Sequence, residues 1–225
     1  MLNWYLGILL EPELLQKLAE KAITKEQLLE SVESDFKLLP IVIDGVSSSK
    51  AAVRYGCANV LVSLSAKYPG KLYPYMNFFV SLLDSKHRIL KWNGMAAIAN
   101  LCAVDVDKKF DAVYDKYFAF LKDEYMVTVS NVVGGSAKIA TAKTYLIPRI
   151  TADLLQVENI STSAHLTEEC RRVIVEQAIK SFNKFFGQMN PENKAKVTSF
   201  VKRQTDSSRA SLGKEANLFL SRRGL

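Results

Sequence analysis

The chain has 225 residues, is 48% apolar and 24% charged, and carries a formal net charge of +7 at a mean hydropathy near zero. That composition excludes a largely disordered polypeptide and supplies enough apolar material for a sizeable core. No run approaches the roughly 20 apolar residues of a membrane-crossing helix, the longest candidates being 4–10 and 78–83, so no membrane span is expected.

At the start, Trp4, Tyr5, Leu6, Ile8, Leu9 and Leu10 form an apolar patch expected to cover the first repeat, and Pro12 is placed to open a helix. The patch has no basic segment before it and Glu11-Pro12-Glu13 after it, which argues against a secretory leader. Thr24 to Gln27 has the pattern of a capping box, with Ile23 and Leu28 as its hydrophobic staple. Six prolines and ten glycines leave room for long helices. From there the chain repeats itself. Leu38-Leu39-Pro40 recurs as Leu72-Tyr73-Pro74 and as Leu146-Ile147-Pro148, each near an expected helix start, where proline loses no hydrogen bond and its fixed φ suits the first turn.

The second helix of each expected pair repeats more closely. Val53-Arg54-Tyr55-Gly56-Cys57-Ala58 matches Leu90-Lys91-Trp92-Asn93-Gly94-Met95 at an offset of 37 residues: aliphatic, cation, aromatic, then small residues. A third copy begins near Val127, with Thr128 in the cation's place and Gly134, Gly135 and Ala137 as its small residues; Asp123 precedes it as Asp84 precedes the second. Tyr145 to Leu155 pairs with Thr167 to Phe186 across a longer connection at 157–166. A last pair starts at the cap Asn190-Pro191 and ends in a helix through Leu212, Ala216, Phe219 and Leu220, with Asp206-Ser207 as its expected cap.

Paired helices of this period, an early proline, an acid at the turn within the pair, and Val-Arg or Leu-Lys ahead of small residues resemble HEAT repeats, an armadillo-like family. The resemblance covers roughly 35–225 and implies an all-α fold: a right-handed superhelical solenoid of about five helix pairs. Residues 1–34 would be capping helices and 35–225 one continuous array. It also implies that the second helices line a concave face, with Arg54, Arg88, Lys91, Lys138 and Lys143 among the candidates to meet a partner there. Each of these cations has an equally plain structural reading, pairing with a turn acid such as Asp44 or Asp84. Tyr55 and Trp92 hold equivalent places and are either binding anchors or core.

Charge is unevenly distributed. Residues 1–170 hold 18 Lys and Arg against 19 Asp and Glu; residues 171–225 hold 12 against 4. Lys194, Lys196, Lys202, Arg203, Arg209, Arg222 and Arg223 belong to a basic end that could attract nucleic acid, an anionic membrane surface or an acidic protein segment, or could be the solvated cap a solenoid needs.

Chemistry finds little support. Gly134-Gly135-Ser136-Ala137-Lys138 lacks the full phosphate-loop pattern and a preceding strand, and no GxSxG, HExxH or GxGxxG occurs. Asp105 with Asp107 reads as an inter-repeat loop, and Glu168 with Glu169 as first-turn acids favoured by the helix dipole. Cys57, Cys102 and Cys170 have no metal-ligand spacing and are expected to be buried and reduced, which points to the cytoplasm. With no catalytic, metal or cofactor residue expected, the chain reads as a non-enzymatic scaffold for another protein. Nucleic-acid binding through the basic end is the alternative, with action on alkylated DNA, which some HEAT-like proteins perform, a more distant one.

Overall fold

The structure, a computed structural model, describes residues 13–225; the apolar patch at 4–10 and Pro12 lie outside the described residues. The chain divides into two compact units, Met1–Leu101 and Cys102–Leu225.

In the first unit a helical stretch over 13–19 (α1) ends in a left-handed Lys21 (φ 60°), where the Ala22 N–H reaches back to the Lys17 carbonyl at 2.8 Å. Then follow α2 (Lys25–Ser34), α3 (Leu39–Gly45), α4 (Ala51–Lys67), α5 (Pro69–Leu72), α6 (Met76–Leu82) and α7 (Arg88–Leu101). The capping box at Thr24 is present in full: the Gln27 N–H donates to the Thr24 hydroxyl and the Thr24 N–H to the Gln27 side chain. Each of the three Leu-x-Pro segments lies at a short 3-10 turn that feeds an α-helix, over Phe36–Leu38, Tyr73–Tyr75 and Thr144–Leu146. Helix α4 packs between α2 and α7, so the second helices of successive pairs form one layer, with α3 and α6 packed against α4 and α7. Leu28, Cys57, Leu64, Met76, Met95 and Ile98 close the core between the layers, each essentially inaccessible to water.

In the second unit α8 (Lys109–Ala119), α10 (Ile147–Leu155) and α12 (Pro191–Lys202) alternate with α9 (Met126–Ala142), α11 (Glu168–Phe185) and α13 (Ala210–Ser221). Here α11 packs between α9 and α13, and α12 against α10 and α13. The core is aromatic, with Phe110, Tyr114, Tyr117, Phe182, Phe185, Phe200 and Phe219 all buried. Asn190 caps α12 by accepting from the Asn193 N–H at 2.8 Å, with Pro191 in the first turn. The connection at 157–166 is ordered by contacts with the α8–α9 turn. The Ser163 hydroxyl donates to the Glu124 carbonyl at 2.9 Å, and His165 stacks on Tyr125 with ring centroids 4.4 Å apart.

Two details of the repeat differ from the sequence reading. The third residue of α4 and of α7 is a buried aliphatic, Val53 and Leu90; in α9 that place is held by Thr128, buried, while Val127 is exposed. The third copy is therefore shifted by one residue, and the cation's place is taken by buried Val129 rather than Thr128. The turns also share a device that the acids Asp44 and Asp84 do not mark. Ser48, Ser85, Asp123 and Ser207 each accept, through a side-chain oxygen, the N–H two residues on, just before α4, α7, α9 and α13. Asp123 thus corresponds to Ser85 and not to Asp84, and the last helix is preceded by Ser207 acting in this way.

Candidate binding surface

The second-helix layer of the first unit is tied together by side chains reaching from one helix to the next. The Asn100 amide donates to the Ser65 hydroxyl at 2.9 Å in the interior, the Asn93 amide to the Asn59 carbonyl oxygen at 3.0 Å, and Lys67 pairs with Glu33 at 2.8 Å. These partners are 34 or 35 residues apart, two or three short of the 37-residue offset, so each bond joins non-equivalent positions of neighbouring repeats. A layer bonded in this way holds its outward side chains at fixed spacing.

Arg54 and Tyr55 are the fourth and fifth residues of α4; Lys91 and Trp92 hold the same places in α7. All four are half-buried, and Arg88 at the first position of α7 is exposed. Arg54 does not pair with Asp44: its guanidinium donates to the Ser48 and Ser49 carbonyls at 2.8 and 3.2 Å, closing the α3–α4 turn. It also lies 4.8 Å from the Tyr55 ring centroid, and that ring meets His87 edge to face at 6.3 Å, so the two turns lie side by side. The structure therefore brings Arg54 and Tyr55 together at the start of α4 and leaves Arg88, Lys91 and Trp92 on the neighbouring first turn of α7. Lys138 is exposed on α9, in the second unit.

Lys143 is not on the surface. Its side chain is 4% exposed, and its ammonium lies 2.9 Å from the fully buried Asp105 carboxylate and 3.5 Å from Asp111. The Tyr145 hydroxyl, which bonds Asp111 at 2.7 Å, is 3.2 Å from the same ammonium. Burial opposes the charge most strongly, yet Asp105 and Tyr145 more than offset it and hold the Lys143 pKa above its ordinary value. Asp105 is no loop bystander: it also accepts from the Lys109 and Phe110 N–H groups and so starts α8, whose preceding residue Lys108 is left-handed. The sequence signal for this pair was slight, an Asp four residues ahead of a helix start and a Lys just past a helix end.

At the basic end, ion pairs disperse the charge. Lys196 pairs with Glu192, Arg203 with Glu158, and Arg209 with both Glu169 and Glu176; Arg171 and Arg172 pair with Glu168. Glu176 is a buried hub missed by sequence reasoning, accepting from Lys180, Arg209 and Ser211. Burial raises its pKa, but those three donors more than reverse the effect and bring it to about 2. Lys194, Lys202, Arg203 and Arg223 border one open groove beside Phe186, whereas Lys196, Arg209 and Arg222 do not.

Cys57 and Cys102 are buried, and burial pushes the Cys57 thiol up to about 12 and Cys102 higher. Cys170 is only half-buried, in the first turn of α11, where its N–H bonds the capping Thr167 hydroxyl. Among the described residues no helix is long and apolar enough to cross a membrane, and no three His, Cys, Asp or Glu side chains converge as metal ligands would.

No protein-family model and no curated protein matches the chain. Solved structures do. A designed armadillo repeat protein superposes with a TM-score of 0.61 at 20% identity, over 92% of this chain and 90% of that one. Another, solved in complex with peptide (KR)4, gives 0.64 at 18% identity over the same shares. A third, from computationally designed armadillo repeat proteins for modular peptide recognition, gives 0.64 at 19%, again over 92% and 90%. Together with the alternating helix layers, these likenesses establish the fold as an all-α helical repeat of the armadillo and HEAT type.

Proposed function

We propose that the chain is a non-enzymatic scaffold that binds another protein on its second-helix layer, with Tyr55 and Trp92 as aromatic anchors and Arg54, Arg88 and Lys91 beside them. The observation that carries this reading is the equivalence of two half-exposed aromatic–cation pairs on stacked helices whose spacing is fixed by lateral hydrogen bonds. Anchors of this kind contribute more affinity than area alone, because little freedom is lost when a rigid surface is engaged. The designed neighbours, one of them solved in complex with a peptide, support a peptide segment of the partner as the ligand. Lys138 is a candidate contact of the same type in the second unit. The free Cys57, Cys102 and Cys170 support placement in the reducing cytoplasm.

Nucleic-acid binding through the basic end draws less support, since six of the twelve cations beyond residue 170 have acidic partners within the chain. Capture of partners on the tagged protein, with and without nuclease, tests the scaffold. A protein retained stoichiometrically after digestion is expected, with retention falling about tenfold for Lys91→Glu combined with Trp92→Ala. Because Arg54 closes a turn, Arg54→Glu is informative only beside a helical circular-dichroism spectrum. Loss of every retained protein on digestion would overturn the proposal.

A further inference from the structure

A groove of about 930 Å³ opens along α12 in the second unit. It shares no residue with the aromatic anchors on α4 and α7. Its apolar lining is the Phe186 ring, Ala195 and Leu225, and its polar rim is Lys194, Lys202, Arg203 and Arg223 together with Thr198 and Ser199. Lys194 holds its ammonium 5.9 Å from the Phe186 ring centroid, and Arg223 places its guanidinium 4.5 Å from Phe186 and 3.7 Å from Phe219. The groove therefore combines an aromatic floor with cations that lean over it.

The charge on that rim is only partly answered from within. Arg203 pairs with Glu158. Among the described residues Lys194, Lys202 and Arg223 are in no ion pair; Arg223 donates to the neutral Asn183 side chain and to the Phe219 carbonyl. Burial, reinforced by neighbouring Arg222, lowers the Arg223 pKa from its ordinary value, as expected for a cation held without an acid. A partly desolvated positive rim of this kind favours an anionic ligand.

Two features decide which anion. Of the cations beyond residue 170 that do not line the groove, Arg171, Arg172, Lys180, Lys196 and Arg209 have acidic partners, whereas Lys184, Lys214 and Arg222 are in no ion pair among the described residues, so positive charge beyond the rim is interrupted rather than a continuous phosphate-tracking stripe. The lining also holds a single aromatic ring, Phe186, where a single strand uses several rings for successive bases, and one ring suits one apolar side chain. We infer that the α12 groove is a second docking site, which takes an acidic segment of another protein with an aromatic or aliphatic side chain seated over Phe186 and carboxylates reaching Lys194, Lys202 and Arg223.

The probe is a random peptide library displayed on phage and selected on the full chain, with bound clones remeasured as labelled peptides. The expected clones carry Asp or Glu on both sides of an apolar residue. Their affinity should fall about tenfold or more in the double variant Lys194→Glu, Lys202→Glu and less than about twofold in Lys196→Glu, which lies outside the groove. Both lysines extend from the surface of α12, and an unchanged circular-dichroism spectrum establishes that the variants fold. The inference is overturned if no selected clone depends on Lys194 and Lys202, if dependent clones show no enrichment in acids, or if a single-stranded oligonucleotide displaces them at lower concentration than the free peptide. The surface on α4 and α7 is scored separately, because Lys91→Glu with Trp92→Ala leaves the groove intact.

Discussion

Glu176 is buried on α11 and keeps its carboxylate charged because Lys180, Arg209 and Ser211 converge on it. The folded-state pKa, about 2, lies below the ordinary 4.5, so the contribution to stability is complete above about pH 4.5 and is lost as pH falls toward 2. That contribution amounts to at most about 3 kcal/mol. Urea unfolding at pH 7 and pH 3 should show a marked loss for the native chain. Glu176→Gln should start lower at pH 7 and lose less between the two. A variant with the native pH slope would place the acid sensitivity elsewhere. Neither Glu176 nor Lys143 stands out in the sequence as a buried charge, since each sits where a helical pattern alone would allow a solvated side chain. The burial comes from neighbouring pairs, Arg209 reaching back 33 residues to Glu176 and Lys143 reaching back 38 to Asp105. Tyr55 and Trp92 were legible as equivalents from their common spacing, but the bonds of Arg54 to turn carbonyls depend on turn geometry that residue types do not encode.

Helix pairing in this fold depends on close approach at a few positions. A Cβ on Gly94 would lie 2.9 Å from both the Phe79 carbonyl oxygen and the Leu82 Cβ on α6, where backbone cannot yield without moving the helix. Gly94→Ala is therefore expected to cost about 1–3 kcal/mol by overpacking. Gly70→Ala, in α5 with nothing near its Cβ, should be neutral or stabilising by up to about 1 kcal/mol. Chemical denaturation of the two variants checks the contrast, and equal effects would mean that α6 and α7 can separate freely. The small residues at Gly56 and Gly94 were readable as packing sites because they recur at nearly one period, and the Leu-x-Pro segments were readable because proline has few places in a helix. The register of the third copy was not: Thr128 is small enough to take the buried place of Val53 and Leu90, so matching by hydrophobicity slid the alignment onto exposed Val127. Nor was the series Ser48, Ser85, Asp123 and Ser207, because serine is frequent and the bond each accepts from the N–H two residues on, ahead of a second helix, leaves no mark in residue type.

Net charge is the property of the whole molecule that misleads most easily. Splitting the sequence at residue 170 leaves Glu158, Glu168 and Glu169 on one side of the cut and their partners Arg203, Arg171 and Arg209 on the other. The basic end is therefore less positive as a surface than as a string. Beyond residue 170, Lys184, Lys194, Lys202, Lys214, Arg222 and Arg223 are in no ion pair among the described residues, and they are spread over the end of α11, α12, α13 and the residues after it. Three of them, Lys194, Lys202 and Arg223, line one groove, so a single strand lying there would neutralise about three phosphates. Binding of a labelled single-stranded oligonucleotide should consequently be weak and should fall with salt at a log–log slope no steeper than about −2, at about −0.7 per phosphate. A slope beyond about −4 would require the paired arginines to leave their glutamates for phosphate and would restore nucleic acid as the ligand of this end. A shallow slope, together with retention of a protein partner after nuclease digestion, is the outcome expected if the proposed protein-binding role and the α12 groove are correct.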